Sequence, residues 1–271
     1  MPSWKTDHVL GPPRIAVDHV GSGSLVVLMH GIGGNRSNWH DQLPEFGRYF
    51  HAVAWDARGY GDSDDYQGDL NFGDFASDLA RVLDHFNAAR AHLVGLSMGG
   101  VIALDFVSRW PDRVATLTLC DSLPGFSHLS NEQRREFIRL RQEPLLAGME
   151  PKDIAPAVAK SLLGKTPRPG SFERLVASMS ALHKESYLKT IASMVNYARV
   201  LELEAITAPT HVVVGEEDTL TPPATSREMA DRIPGARLTV IEGAGHLSNI
   251  EQSEAFNRAV LGFLMEHREK I

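Results

Sequence analysis

The sequence predicts an α/β fold: a mostly parallel sheet with helices on both faces and an inserted all-helical segment. Three observations carry that expectation. Short apolar runs alternate with helical patterns towards both ends of the 271-residue chain, as parallel strands joined by crossover helices require. One such run ends in Gly95-Leu96-Ser97-Met98-Gly99-Gly100 and passes straight into a second apolar stretch, so a strand must turn sharply into a helix there. Between residues 122 and 204 strand-like runs disappear and helical patterns separated by Pro and Gly replace them. The expected division is a core domain of residues 1–121 and 205–271, with a helical cap domain of residues 122–204.

Taken in order, residues 14–20 and 24–29 are β-rich runs on either side of Gly21-Ser22-Gly23, which suits an opening hairpin with a glycine turn. The second run, Leu25-Val26-Val27-Leu28-Met29, is apolar without alternation, as expected of a strand covered on both faces. It leads into the glycine-rich loop His30-Gly31-Ile32-Gly33-Gly34-Asn35. A helix is expected over 37–47 and a strand over 51–55. The turn 56–63, with Asp56, Arg58, two glycines and Ser63, reads as a hydrogen-bonded structural turn rather than an acid–base site. Phe72, Phe75, Ala76, Leu79, Val82, Leu83 and Phe86 recur at helical spacing and mark an amphipathic helix. Residues 101–109 are apolar nearly all round and stop before Pro111, as a buried central helix does; residues 115–120 form another strand.

Within the insertion, Ser130-Asn131-Glu132-Gln133 forms a capping box. Further helices are expected over 153–163, 171–182 and 186–201. Arg134, Arg135, Arg139 and Arg141 read as the solvated face of the capped helix rather than as attractors for a carboxylate substrate. Strands at 211–214 and 237–241 and helices at 222–233 and 251–267 then complete the core.

Composition bounds the function classes. Apolar residues make up 43% of the chain and charged ones 23%, ordinary values for a globular protein. A net charge of −7 gives no support for nucleic-acid binding or for an anionic membrane surface. No run approaches the roughly 18 apolar residues of a membrane span, and the first eight residues lack the apolar core of an export signal. Cys120 is the single cysteine, so a reducing cytoplasm is the expected compartment. A dinucleotide loop is excluded at 31–36, where Arg36 stands in place of the last glycine. A phosphate loop is excluded at 164–166, where Ala159 stands in place of the first. No H-x-H or H-E-x-x-H spacing supports a metal site. Neither cofactor nor metal is expected.

The remaining chemistry converges on Ser97. Its glycine-framed turn places the oxygen at the positive end of the following helix. A serine hydroxyl needs a base to take its proton, commonly a histidine oriented by a buried carboxylate. The chain has twelve histidines, but only His246 sits in a glycine-flanked loop after the last strand, in Gly243-Ala244-Gly245-His246-Leu247-Ser248. His30 is expected to shape its loop by hydrogen bonding, and His211 to be structural. The preferred acid is Asp218, in the loop after the preceding strand, with Glu216 and Glu217 as neighbours that serve if the loop is shifted. Asp121, at the end of the strand after the elbow, is the rival.

These features are similar to those of the α/β-hydrolase family over essentially the whole chain: His30-Gly31 before the glycine loop, the run 56–63, and Gly95-Leu96-Ser97-Met98-Gly99-Gly100. Within the family the chain most resembles 3-oxoadipate enol-lactonases and their esterase-like neighbours, through Trp39, the elbow, and the closing run from Gly245 to Asn257. The resemblance implies Ser97 as nucleophile, His246 as base and Asp218 as its orienter. It also implies an oxyanion hole of the Ile32 and Met98 backbone N–H groups, and a cap that sets substrate choice. Trp39 is either a pocket wall or packed against the cap. The implied activity is hydrolysis of a small ester or lactone through an acyl-enzyme, with 3-oxoadipate enol-lactone foremost and the small-molecule substrate as the expected partner. The alternatives are a general carboxylesterase, a C–C hydrolase, or a receptor-like binding protein on the same scaffold. Haloalkane chemistry is closed, because the elbow carries Ser97 and not an aspartate.

Overall fold

The computed structural model describes residues 4–125, 130–197, 199 and 201–268. Eight strands form one sheet: β1 (Lys5–Val9), β2 (Ile15–Gly21), β3 (Leu25–Met29), β4 (His51–Trp55), β5 (Ala91–Leu96), β6 (Val114–Cys120), β7 (Thr210–Gly215) and β8 (Arg237–Ile241). Their spatial order is β1-β2-β4-β3-β5-β6-β7-β8, antiparallel at the β1–β2 and β2–β4 pairs and parallel from β4 onwards. β3, β5, β6 and β7 are buried at every residue, as strands covered on both faces are, and β3 shows it as an unbroken apolar run. The sheet is mostly parallel, with helices between its strands and a helical insertion after β6, as the sequence predicts.

The helices between strands follow the expected pattern, with shifted ends. They are α1 (Leu43–Phe46), α2 (Gly73–His85) and α3 (Met98–Arg109). Among the described residues five more lie between β6 and β7: α4 (Asn131–Arg141), α5 (Glu143–Leu146), α6 (Pro151–Leu162), α7 (Ser171–Ser180) and α8 (Lys184–Val195). The core closes with α9 (Pro223–Arg232), α10 (Ser248–Glu251) and α11 (Ser253–Glu266). The capping box at Ser130 is present in both directions. The helix expected over 186–201 ends earlier, at Val195, and residues 198 and 200 fall outside the described residues, as do the first three residues of the chain.

Three expectations are corrected. The opening hairpin does not join β2 to β3: β2 pairs with β1 and β4, and β3 lies between β4 and β5. Gly21, at φ +87°, instead lets the chain pass close to the Gly47 and Phe50 carbonyls, where any Cβ would collide. The helix over 37–47 is two pieces, a 3-10 turn at Arg36–Trp39 capped by the Asn35 side chain, and α1, whose start carries Pro44; proline lacks the N–H that a continuous helix needs there. The closing helix starts later than expected, as α11 at Ser253, behind a separate short α10.

Candidate active site

β5 delivers Ser97 into the turn at φ 53° and ψ −114°, a conformation that costs free energy for an L residue and persists only where its surroundings enforce it. The surroundings here are two close approaches. A Cβ on Gly95 would run into the Gly99 carbonyl, and one on Gly99 into the Met29 carbonyl of β3. Ser97 N–H donates to the Cys120 carbonyl at 2.8 Å, and the Ser122 hydroxyl to the Ser97 carbonyl at 2.8 Å, so the strained residue is tied to the end of β6.

Ser97 Oγ lies 3.0 Å from His246 Nε2, and His246 Nδ1 lies 2.8 Å from Asp218 Oδ2. The expected serine, histidine and acid therefore meet, from the ends of β5, β8 and β7. Asp218 Oδ1 accepts the Leu220 and Thr221 N–H groups at 2.8 and 3.0 Å, and Oδ2 accepts the Thr221 hydroxyl at 2.5 Å. Burial alone would raise the Asp218 pKa, but the His246 charge and these hydrogen bonds outweigh it and hold the group below the ordinary carboxylate value. The opposite holds at His246: burial lowers its pKa, yet the Asp218 charge and hydrogen bond leave it above the ordinary value of 6.5.

The rival acids are occupied elsewhere. Asp121 accepts the Gly215 N–H at 2.7 Å and the Ser248 hydroxyl at 2.5 Å. Its complete burial, and then the charge of Asp218, push its pKa up to about 8. Glu216 is exposed and accepts the Gly243 N–H at 3.1 Å. Glu217 accepts the Lys165 N–H at 2.6 Å.

The glycine loop runs alongside the serine: a Cβ on Gly31 would stand 3.2 Å from Ser97 Cβ. His30 holds this loop as expected, its Nδ1 2.8 Å from the Gly31 carbonyl and its Nε2 accepting the Ala57 N–H at 3.0 Å. Ile32 and Ser97 line the same cavity, and Met98 opens α3, where first-turn N–H groups have no acceptor within the helix. Both predicted donors thus flank Ser97. Trp39 does not line this cavity. The 3-10 turn carries it inward, where it is fully buried with its ring 6.0 Å from Phe256 of α11. The turn after β4 is structural: Asp56 accepts the Arg36 N–H at 2.7 Å and the Asp62 N–H at 2.8 Å, and Ser63 Oγ donates to the Asp56 carbonyl at 2.7 Å. His211 is structural too, with Nε2 2.9 Å from Thr239 Oγ1.

The cavity measures about 60 Å³, on a scale where one water needs roughly 10–15 Å³. Its floor is Ser97, His246 and the glycine loop, and α4, α6, α7 and α8 each contribute at least two residues to its walls. Three elements of the site escaped the sequence reading. Thr221 fixes Asp218, a short-range turn contact that the spacing Asp218-Thr219-Leu220-Thr221 permits. Glu251 accepts the N–H groups of Gly164, Gly245 and Leu247 at 2.7, 3.1 and 3.3 Å, joining the His246 loop to the end of α6. Arg141 is 3% exposed and faces the cavity, unlike Arg135 and Arg139, which are exposed as expected. Its signal was the four-residue step from Phe137, which puts both on one helix face.

The sequence profile described as alpha/beta hydrolase fold matches residues 24–253. The chain belongs to the α/β-hydrolase family and is a hydrolytic enzyme of that family. Among solved structures it is similar to a thermophilic esterase from Thermogutta terrifontis, determined with malate bound, at 28% identity and a TM-score of 0.88 over 97% of this chain and 99% of the other. It is also similar to the enol-lactonase from Burkholderia xenovorans LB400, at 25% identity and a TM-score of 0.82 over 96% and 100%. A curated relative, the dihydrolipoyllysine-residue acetyltransferase component of the acetoin cleaving system from Pseudomonas putida, is 28% identical over 260 residues. That match covers 90% of this chain, which spans 64% of the relative's length. Among the described residues, no helix is long and apolar enough to cross a membrane.

Proposed function

We propose that the protein hydrolyses a small carboxylic ester or lactone through an acyl-enzyme on Ser97. The observation that carries this reading is the continuous hydrogen-bonded line from Ser97 Oγ through His246 to Asp218, at 3.0 and 2.8 Å, at the floor of a largely apolar cavity. His246 Nε2 takes the Ser97 proton as Oγ bonds to the substrate carbonyl carbon. The carbonyl oxygen becomes an anion facing the Ile32 and Met98 N–H groups. Donors placed in advance at such a position are typically worth about 3 kcal/mol each in the transition state. Collapse breaks the ester C–O bond, and His246 returns the proton to the leaving oxygen. A water then gives a proton to His246 as it attacks the acyl carbon; release of the acid restores the Ser97 hydroxyl. Asp218 keeps the imidazole in the productive tautomer throughout.

Residues 122–204 act as the cap in this reading. Helices α4, α6, α7 and α8 line the cavity above Ser97 and shield the oxyanion from bulk solvent, while leaving the hydrolytic water a way in. The specific substrate we favour is 3-oxoadipate enol-lactone, whose leaving group departs as an enolate and becomes a ketone. The similarity to the Burkholderia xenovorans enol-lactonase supports that choice. The lone, buried Cys120 is in keeping with work in the cytoplasm. A fluorophosphonate probe should label Ser97 stoichiometrically, and the enzyme should turn over p-nitrophenyl acetate many times. Absence of both would remove the reading. Ring opening of the enol-lactone no faster than hydrolysis of generic esters would remove only the substrate.

A further inference from the structure

Arg141 is the anomaly of the cavity. It ends α4 with 3% of its surface exposed, and among the described residues its guanidinium makes no hydrogen bond or ion pair. Its one close partner is the Phe137 ring, with the guanidinium carbon 4.5 Å from the centroid. A buried guanidinium cannot shed its proton to escape the desolvation penalty, and a ring face replaces little of the lost hydration. Among the described residues the Tyr187 hydroxyl, fully buried in the same cavity, also has no partner, and each of the two groups lies within the other's electrostatic reach. Among the described residues, the guanidinium and the Tyr187 hydroxyl thus share a cavity wall that offers them no acceptor. Arg141 further stands where the cavity meets a wider groove of about 880 Å³, the two sharing Phe137, Arg141, Leu162 and Leu220.

We propose that Arg141, with the Tyr187 hydroxyl, binds a carboxylate on the substrate, so that the ester or lactone cleaved at Ser97 carries a free acid group beyond its scissile bond. A planar guanidinium matches a carboxylate with two parallel hydrogen bonds, and the anion supplies the charge that the protein withholds. This rests on the hydrolytic reading of Ser97 and narrows its substrate class.

The test compares mono(4-nitrophenyl) glutarate with its methyl ester, which differ in charge at nearly constant shape. The unmodified enzyme should favour the anion in kcat/KM by about tenfold or more. Arg141→Met should bring that ratio to about one, chiefly through KM on the anion. Arg141→Lys should recover part of the preference, and Tyr187→Phe should lower it several-fold. Equal kcat/KM for the two esters in the unmodified enzyme, or loss of both in the same proportion in Arg141→Met, overturns the assignment. Should Arg141→Met fail to fold, thermal stabilisation of the unmodified protein by glutarate but not by glutaramide carries the test, and equal stabilisation by both overturns it. The same stabilisation needs no turnover. Failure of Ser97 to accept a fluorophosphonate therefore sinks the hydrolytic reading separately from the carboxylate site.

Discussion

Asp218 and Asp121 stand at the ends of adjacent strands, both buried, and only Asp218 hydrogen-bonds His246. Two carboxylates so close cannot both ionise cheaply. The structure eases the conflict by giving Asp218 three donors and the imidazole, while burial and the Asp218 charge raise the Asp121 pKa and favour its protonated form. Asp218→Asn should therefore cut kcat by about 10⁴-fold, because the amide favours the wrong imidazole tautomer. Asp121→Asn, nearly isosteric with the neutral acid, should change it by less than about tenfold. Steady-state kinetics on both variants distinguishes the two, and the reverse ranking would make Asp121 the acid. The pH profile follows from His246. Only the neutral imidazole accepts the serine proton, and its pKa is raised, so activity falls as pH drops through that raised value. The acid limb of kcat/KM should have its midpoint above 6.5. A midpoint at or below 6.5 would mean that the Asp218 charge does not reach the ring as the geometry requires.

At the scale of elements, the β5–α3 turn and the loop after β8 hold the site by contacts that leave no spare room. Gly99→Ala places a methyl group against the Met29 carbonyl of β3, and a rigid backbone atom cannot rotate away. Overpacking of this kind typically costs about 1–3 kcal/mol. Differential scanning should show a melting point lower by several degrees together with weaker labelling of Ser97; a variant with unchanged melting and labelling would contradict the close approach. Glu251 acts differently, by satisfying three backbone donors around His246 and the end of α6. Glu251→Ala orphans them at about 1–3 kcal/mol for each donor kept from water. The expected result is lower stability and lower kcat together, with Glu251→Gln intermediate because one acceptor oxygen remains.

For the whole molecule, the sheet divides into a parallel part that carries the site and an antiparallel edge that does not. β1 is mostly exposed and is held by Thr6 Oγ1 donating to Asp18 at 2.7 Å, His85 with Asp7 at 3.1 Å, and its ladder to β2. Deleting residues 1–9 leaves β2 paired with β4. The shortened chain should keep its activity within a few-fold while melting a few degrees lower; loss of Ser97 labelling would show that the edge supports the site after all. The inserted helices are tied down more firmly. Arg174 of α7 donates to Asp41 at 2.7 Å and to the Ser37 carbonyl, and the His246 N–H donates to the Leu162 carbonyl at 2.8 Å.

The sequence by itself determined the buried parallel strands, the strained turn at Ser97, and the order in which serine, acid and histidine arrive. Each is written in a local pattern, since an apolar run, a pair of glycines or a loop after a strand acts over a few residues. The tertiary structure decided what depends on residues far apart in the chain. It set the partner of β2, since strand pairing is chosen by the whole sheet. β1 was invisible because a polar edge strand buries too little to leave an apolar signature. The inward turn of Trp39, the raised pKa of Asp121 and the burial of Arg141 have the same origin: each depends on which distant side chains close over the residue, and a spacing cannot record that.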